Sequence, residues 1–76
     1  MTARQMTENA RIAGIKVGRA IYRDHAADDM LFARGEFELS PEDGDQLTSA
    51  GLVPGSAEYR MAEDAAEAEY FRLMGQ

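Results

Sequence analysis

The chain of 76 residues contains no cysteine and no tryptophan, only two prolines and one histidine. Without cysteine, neither a disulfide nor a thiolate zinc site can stabilise the fold, which excludes the disulfide-rich class of small secreted proteins. Its apolar runs are a few residues long, far shorter than the roughly 20 residues that cross a bilayer. We therefore expect a small domain that is stabilised by apolar packing.

The N-terminal sequence also lacks the apolar core of a secretory signal, so we expect a cytoplasmic location. With 45% hydrophobic residues the chain is too apolar for a disordered protein. A chain of this length forms one domain, here residues 1–76, and buries only about 60% of the surface that its unfolded form exposes. The core is therefore small.

Basic residues are scarce in the second half of the chain. Residues 1–35 carry six basic and four acidic residues, whereas residues 36–76 carry two basic and ten acidic residues, for a total charge of −6. The sequence pI is about 4.6. This uneven distribution of charge affects which partners the protein attracts and how fast it associates with them. It favours a basic partner surface and opposes direct binding to nucleic acid.

Apolar residues in the first third of the chain recur at intervals of three and four, which predicts an amphipathic helix to about Tyr22 or Arg23. The helix starts either at Thr2, which has capping-box spacing to Gln5, or at Thr7. Its apolar stripe consists of Met6, Ala10, Ala13, Val17, Ala20 and Ile21.

This helix would carry a second apolar face, formed by Ile12, Ile15 and Tyr22. Gly14 and Gly18 each weaken a helix by about 1 kcal/mol relative to alanine, so residues 15–22 are also compatible with a strand. The helix is favoured, and its two glycines then indicate close packing against the alanine-rich sequence near the C-terminus. An exposed second face would favour self-association.

The middle of the chain combines a polar break with short apolar segments. Residues 24–29 are polar and precede an apolar group at residues 30–33, which predicts a short helix that ends at Gly35. Residues 36–39 alternate at period two, so Phe37 and Leu39 are expected to face the core.

Two further helix starts follow. Ser40 is a suitable N-cap before a proline and two acidic residues, and this helix ends by Ala50. Ser56 caps the last helix, which runs from Ala57 to about Met74. Its principal stripe consists of Tyr59, Ala62, Ala66, Tyr70 and Leu73. The elements predict a mainly α single-domain bundle of three or four helices, with an α+β fold containing a short N-terminal β-ribbon as the alternative.

Residues 47–56 resemble the helix-to-turn segment of small SH3-like iron-transport accessory domains. In that family the segment leads into β-strands, whereas the sequence from Ala57 onward predicts a helix. We attribute the resemblance to shared chemistry, a glycine that ends a helix before a Pro-Gly turn, and carry no property of the family over.

His25 is the single histidine, and it lies among Asp24, Asp28 and Asp29 in the one cluster with metal-binding chemistry. No third ligand can be placed, so we expect a loop that caps a helix, with no metal and no other cofactor. His25 also has no spacing to a serine that would form a nucleophile and base. We predict a protein that is not an enzyme.

The last predicted helix carries a dense acidic face. Glu63, Asp64 and Glu67 lie close together on it. Carboxylates one turn apart are about 5 to 6 Å from each other, similar to successive phosphates, so they can bind grooves built for DNA or RNA. The predicted partner-binding residues are Glu58, Tyr59, Glu63, Asp64, Glu67, Glu69 and Phe71, the two aromatics as anchors if they are exposed.

We predict a small acidic binding protein that occupies a basic, nucleic-acid-binding surface of a partner protein or complex, as a nucleic-acid mimic or inhibitor. Small acidic proteins of phages and mobile elements, including many anti-CRISPR inhibitors, are similar in size and charge. We expect neither membrane binding nor direct nucleic-acid binding. The alternative is a helical structural subunit that forms a homodimer or completes a larger assembly.

Overall fold

The computed structural model describes residues 2–25 and 37–75. These residues form three α-helices, α1 (Ala3–His25), α2 (Pro41–Ser49) and α3 (Ala57–Leu73), and contain no strand. The prediction of a mainly α helical domain is confirmed. The short helix predicted at residues 30–33 lies outside the described residues, as do Asp28 and Asp29 of the predicted polar cluster.

Helix α1 begins directly after Thr2 because Thr2 and Gln5 cap it reciprocally. The Gln5 N–H donates to Thr2 Oγ1 at 3.2 Å, and the Thr2 N–H donates to Gln5 Oε1 at 2.9 Å. The helix continues through Gly14 and Gly18 to His25. The strand alternative for residues 15–22, and with it the β-ribbon, is therefore wrong.

Gly14 and Gly18 are required by the close approach of α3. A Cβ atom on Gly14 would collide with the carbonyl oxygen of Ala62, and one on Gly18 would lie 2.5 Å from the carbonyl oxygen of Ala66. A step of four residues along α1 thus matches a step of four along α3, so the two helices run parallel. The predicted close packing of small residues is confirmed.

Helices α2 and α3 start at the predicted caps. Ser40 Oγ accepts the Asp43 N–H at 3.3 Å, while Asp43 Oδ2 accepts the Ser40 N–H at 3.2 Å. Ser56 Oγ accepts the Tyr59 N–H at 3.1 Å. Between the helices, Gly51 has a φ of 92°, a conformation that glycine adopts with little strain.

The core lies between α1 and α3 and is completed by α2 and its flanking segments. Asn9 Nδ2 donates to the Ala50 carbonyl at 3.2 Å, which joins the end of α2 to the first half of α1. The buried apolar residues are Ala10, Ala13, Val17, Ile21, Leu47, Leu52, Ala62, Ala66, Tyr70 and Phe71. Of the described helices, none is long and apolar enough to cross a membrane.

Residues 37–39 pack across α3 without regular secondary structure. The ring of Phe37 lies 5.6 Å from that of Tyr70 and 6.3 Å from that of Phe71. Leu39 also packs against the core, so the predicted inward orientation of Phe37 and Leu39 is confirmed. This crossing creates the concave surface described next.

Candidate functional site

Three of the predicted partner-binding residues line one groove on α3. We call it the acidic groove; its volume is about 220 Å³ and its lining residues are Phe37, Leu39, Arg60, Glu63, Asp64 and Glu67. The helix supplies all four charged residues, and the segment that crosses it supplies the two apolar ones. The structure thus brings Glu63, Asp64 and Glu67 together beside apolar surface.

Two of the three acidic residues of this groove are only partly exposed. Asp64 is exposed, whereas Glu63 and Glu67 are half-buried. Glu63 and Glu67 are one turn apart, and like charges at this spacing destabilise a helix by a few tenths of a kcal/mol. Arg60 lines the same groove but forms no ion pair with Asp64, although both residues are described and their spacing permits one. The four charged side chains carry a net charge of −2.

The acidic groove suits a lysine or arginine side chain. Such side chains bury their methylene stems against apolar surface and keep the charged head in a polar environment. The lining of the groove is mostly polar, so the carboxylates provide most of the contact, as acceptors for charge-assisted hydrogen bonds, and Phe37 and Leu39 add a small apolar area. A cation at this position would also relieve the repulsion between Glu63 and Glu67.

Glu69 does not belong to this surface, because its side chain is only 7% exposed and points into the contact with α1. Glu69 Oε2 accepts from Arg19 Nε at 2.7 Å and from Arg72 Nη2 at 3.0 Å, and Oε1 accepts from Arg72 Nε at 2.7 Å. Hydrogen bonds from Arg72 and Arg19 lower the pKa of Glu69 from 4.5 to about 2, against the opposing effect of burial. The structure therefore places Glu69 in the contact between α1 and α3, outside the acidic groove.

The remaining predicted residues lie elsewhere. Glu58 is half-buried and lines a different groove together with Met6 and Val53. Tyr59 is half-buried and packs against the core. Phe71 is 5% exposed, with its ring 5.2 Å from that of Tyr70, so the structure excludes it as an exposed anchor.

A second charged groove was missed by the sequence analysis. It lies between α1 and α3 and has a volume of about 300 Å³; we call it the arginine groove, and its lining residues are Arg11, Ile15, Ala65, Ala68, Glu69 and Arg72. Its sequence signature is the placement of Arg11, Ile15 and Arg19 at intervals of four residues, which puts them on one helix face. Their partners on α3 cannot be identified without the packing of the two helices.

Across residues 2–25 and 37–75, no group of three or more histidine, cysteine, aspartate or glutamate residues is arranged to hold a metal ion. The chain matches no protein-family model, no curated protein and no solved structure. Fold and site together define a small helical protein with an acidic groove on its C-terminal helix.

Proposed function

We propose that this chain is a small non-catalytic binding protein whose acidic groove occupies a basic, nucleic-acid-binding surface of a partner protein or complex. The observation that carries the proposal is the placement of Glu63, Asp64 and Glu67 around one groove whose remaining lining includes Phe37 and Leu39. The protein then takes the place of nucleic acid on this surface. The simplest consequence is inhibition of the partner.

The form of the groove favours recognition of a positively charged side chain over a purely diffuse attraction. Two half-buried carboxylates interact more strongly with a cation than exposed ones do, because less water screens them. The small apolar part of the lining, from Phe37 and Leu39, adds a limited contact for the stem of that side chain. A surface that holds phosphates presents many lysine and arginine side chains of this kind.

Charge outside the groove supports the approach of such a partner. Glu38 is exposed between the groove residues Phe37 and Leu39, and the chain carries a net charge of −6. Excess negative charge raises the rate of association with a basic surface, and salt weakens that effect. We therefore expect rapid association and an affinity that falls steeply with ionic strength.

The experiment compares two charge-matched variants of the full chain as immobilised baits in lysate of the cell from which the chain comes. One variant carries Glu63→Gln, Asp64→Asn and Glu67→Gln. The other carries Glu8→Gln, Glu42→Gln and Asp45→Asn, which removes the same charge from exposed positions outside the acidic groove. Retained proteins are compared at about 50 mM and about 500 mM NaCl, where the Debye length falls severalfold.

We expect the wild type and the second variant to retain the same nucleic-acid-binding protein at low salt, and the first variant to lose it. High salt should release it from both baits. Equal retention by the two variants would show that net charge alone, and not the groove, determines binding. Retention that is unchanged at high salt would contradict the electrostatic mechanism.

Self-association remains a second proposal because Ile12 is 45% exposed. The other members of its predicted apolar face are more enclosed, since Ile15 is half-buried in the arginine groove and Tyr22 packs against the core. Sedimentation velocity at micromolar concentration tests this proposal directly. A dimer that Ile12→Gln dissociates would support it, and a monomer would contradict it.

A further inference from the structure

The arginine groove carries a feature that the acidic groove does not explain. Its α1 side presents Arg11 and Ile15. Arg19 lies one turn beyond Ile15, outside the lining, and borders the groove through its hydrogen bond to Glu69 on α3. Its α3 side presents Ala65, Ala68 and Arg72. The groove thus has apolar residues at its centre and arginines near its ends, on a protein whose net charge is −6.

Glu69 holds two of these arginines in fixed positions. The side chains of Arg19 and Arg72 are 64% and 63% exposed, although each is hydrogen-bonded to the buried carboxylate. A guanidinium has five N–H donors, and these bonds use one donor of Arg19 and two of Arg72. The unused donors remain available to an anionic partner, and the ordering of both side chains lowers the entropic cost of binding it.

The floor between the arginines is apolar and shallow. Ile15 and Ala65 are half-buried and Ala68 is exposed. The floor is shallow because Gly14 and Gly18 let α3 approach α1 closely. One apolar side chain of a partner can fit against Ile15 between the charged ends.

We propose that the arginine groove binds an amphipathic helix of a partner protein that presents an acidic, an apolar and an acidic residue at positions i, i+4 and i+8. Arg11 and Arg19 are two helical turns apart, about 12 Å along the axis, which equals the spacing of i and i+8 on a second helix. A helix that lays its apolar residue in such a groove is a common recognition mode. Its two carboxylates form charge-assisted hydrogen bonds with the arginines.

Charge complementarity selects this occupant. Arg11 pairs with Glu8, and Arg19 and Arg72 share Glu69, so the three arginines and two glutamates leave a local charge of +1 here. The exposed acidic residues elsewhere on the chain repel an acidic helix and leave this groove as its preferred position. The inference does not depend on the function proposed for the acidic groove.

The test is an NMR titration of the ¹⁵N-labelled full chain with a synthetic alanine-based helical peptide of about 16 residues, capped at both ends, that carries Glu, Leu and Glu at i, i+4 and i+8. A control peptide has Gln in place of both Glu residues. The variant Ala68→Glu places a negative charge in the groove, and Ala57→Glu places the same residue at an exposed position at the start of the same helix.

We expect amide shifts confined to the arginine groove, binding about tenfold weaker for the Gln peptide, and a similar loss for Ala68→Glu but not for Ala57→Glu. Circular dichroism of both variants confirms that they fold. Shifts outside the groove, no binding, or equal binding by the two variants would each overturn the proposal. The proposal also fails if acetate at equal concentration causes the same shifts, because the occupant would then be a free anion. It fails as well if Ala68→Glu dissociates a dimer of the chain, because the occupant would then be a second copy.

Discussion

At the scale of single residues, Glu69 is the clearest case in which packing changes the meaning of a side chain. In the sequence it is the last of five acidic residues that begin with Glu58. In the structure it is buried against α1 and accepts hydrogen bonds from two arginines that are 53 residues apart in the chain. A carboxylate in this position links the two long helices rather than contributing to a surface.

The first prediction concerns the acid sensitivity of this link. Because the folded-state pKa of Glu69 is about 2 and its ordinary value is 4.5, its ionised form contributes stability above about pH 4.5, and this contribution is lost as the pH falls toward 2. We expect Glu69→Gln to flatten the fall in unfolding free energy between about pH 5 and about pH 2. The measurement is urea unfolding followed by circular dichroism across that range.

Glu58→Gln serves as the control, since Glu58 lies on the same helix and forms no ion pair with another described residue. This variant should keep the pH dependence of the wild type. If Glu69→Gln also keeps it, the link between α1 and α3 does not act as described.

The second prediction concerns Gly14. Alanine there would place a methyl group against the backbone of Ala62, which cannot move without displacing α3. Overpacking of this kind typically costs about 1 to 3 kcal/mol, more than the roughly 1 kcal/mol that alanine gains over glycine within a helix. We expect Gly14→Ala to lower the free energy of unfolding in urea.

Gly44→Ala is the matched control in α2. A Cβ atom there would meet only the hydroxyl of Tyr59 at 2.9 Å, and this end of a side chain can rotate away. We expect a change between zero and a gain of about 1 kcal/mol from helix propensity. A Gly14→Ala protein as stable as Gly44→Ala would contradict the close contact between α1 and α3.

At the scale of elements, the helix boundaries are accessible to sequence analysis because their causes are local. The caps at Ser40 and Ser56 act within three residues, and each can be recognised from its neighbours. The sequence also predicts the close packing at Gly14 and Gly18 of α1, for a related reason. Small residues at a spacing of four imply a close neighbour, and the chain offers one alanine-rich helix.

The packing of residues 37–39 against α3 could not be predicted from neighbouring residues in the sequence. It depends on contacts between Phe37 and the pair Tyr70 and Phe71, more than 30 residues away, and no periodicity within α3 predicts them. Phe37 packs against Phe71, which is only 5% exposed, so Phe71 is not the exposed anchor that the sequence allowed. This packing also forms the apolar part of the acidic groove, so the acidic residues were predictable but the groove was not.

The third prediction concerns the cap of α2. Ser40→Ala removes the side chain that accepts the Asp43 N–H and leaves this donor without its partner. N-cap substitutions of this kind cost about 1 kcal/mol. Urea unfolding should therefore show a lower midpoint for Ser40→Ala.

Ser49→Ala makes the same substitution at the exposed last residue of α2. Its midpoint should match that of the wild type. Equal midpoints for Ser40→Ala and Ser49→Ala would show that the cap does not limit the stability of the protein.

At the scale of the whole molecule, the charged residues are distributed over the surface differently from their distribution along the sequence. The chain is mildly basic in its first half and strongly acidic in its second, but Arg19 from the first half and Arg72 from the second meet at Glu69. The result is two charged grooves on different sides of α3. Composition could predict the excess of negative charge, whereas the position of the arginine groove required the parallel packing of α1 and α3.

The central claim, that the acidic groove substitutes for nucleic acid, is tested most directly by competition. The partner retained from lysate is bound to a fluorescently labelled nucleic acid, and the chain is added while the anisotropy is measured. We expect the wild type and the control variant with Glu8→Gln, Glu42→Gln and Asp45→Asn to displace the nucleic acid. The variant with Glu63→Gln, Asp64→Asn and Glu67→Gln should not displace it at the same concentration. Simultaneous binding of chain and nucleic acid to the partner, or equal displacement by both variants, would contradict the account.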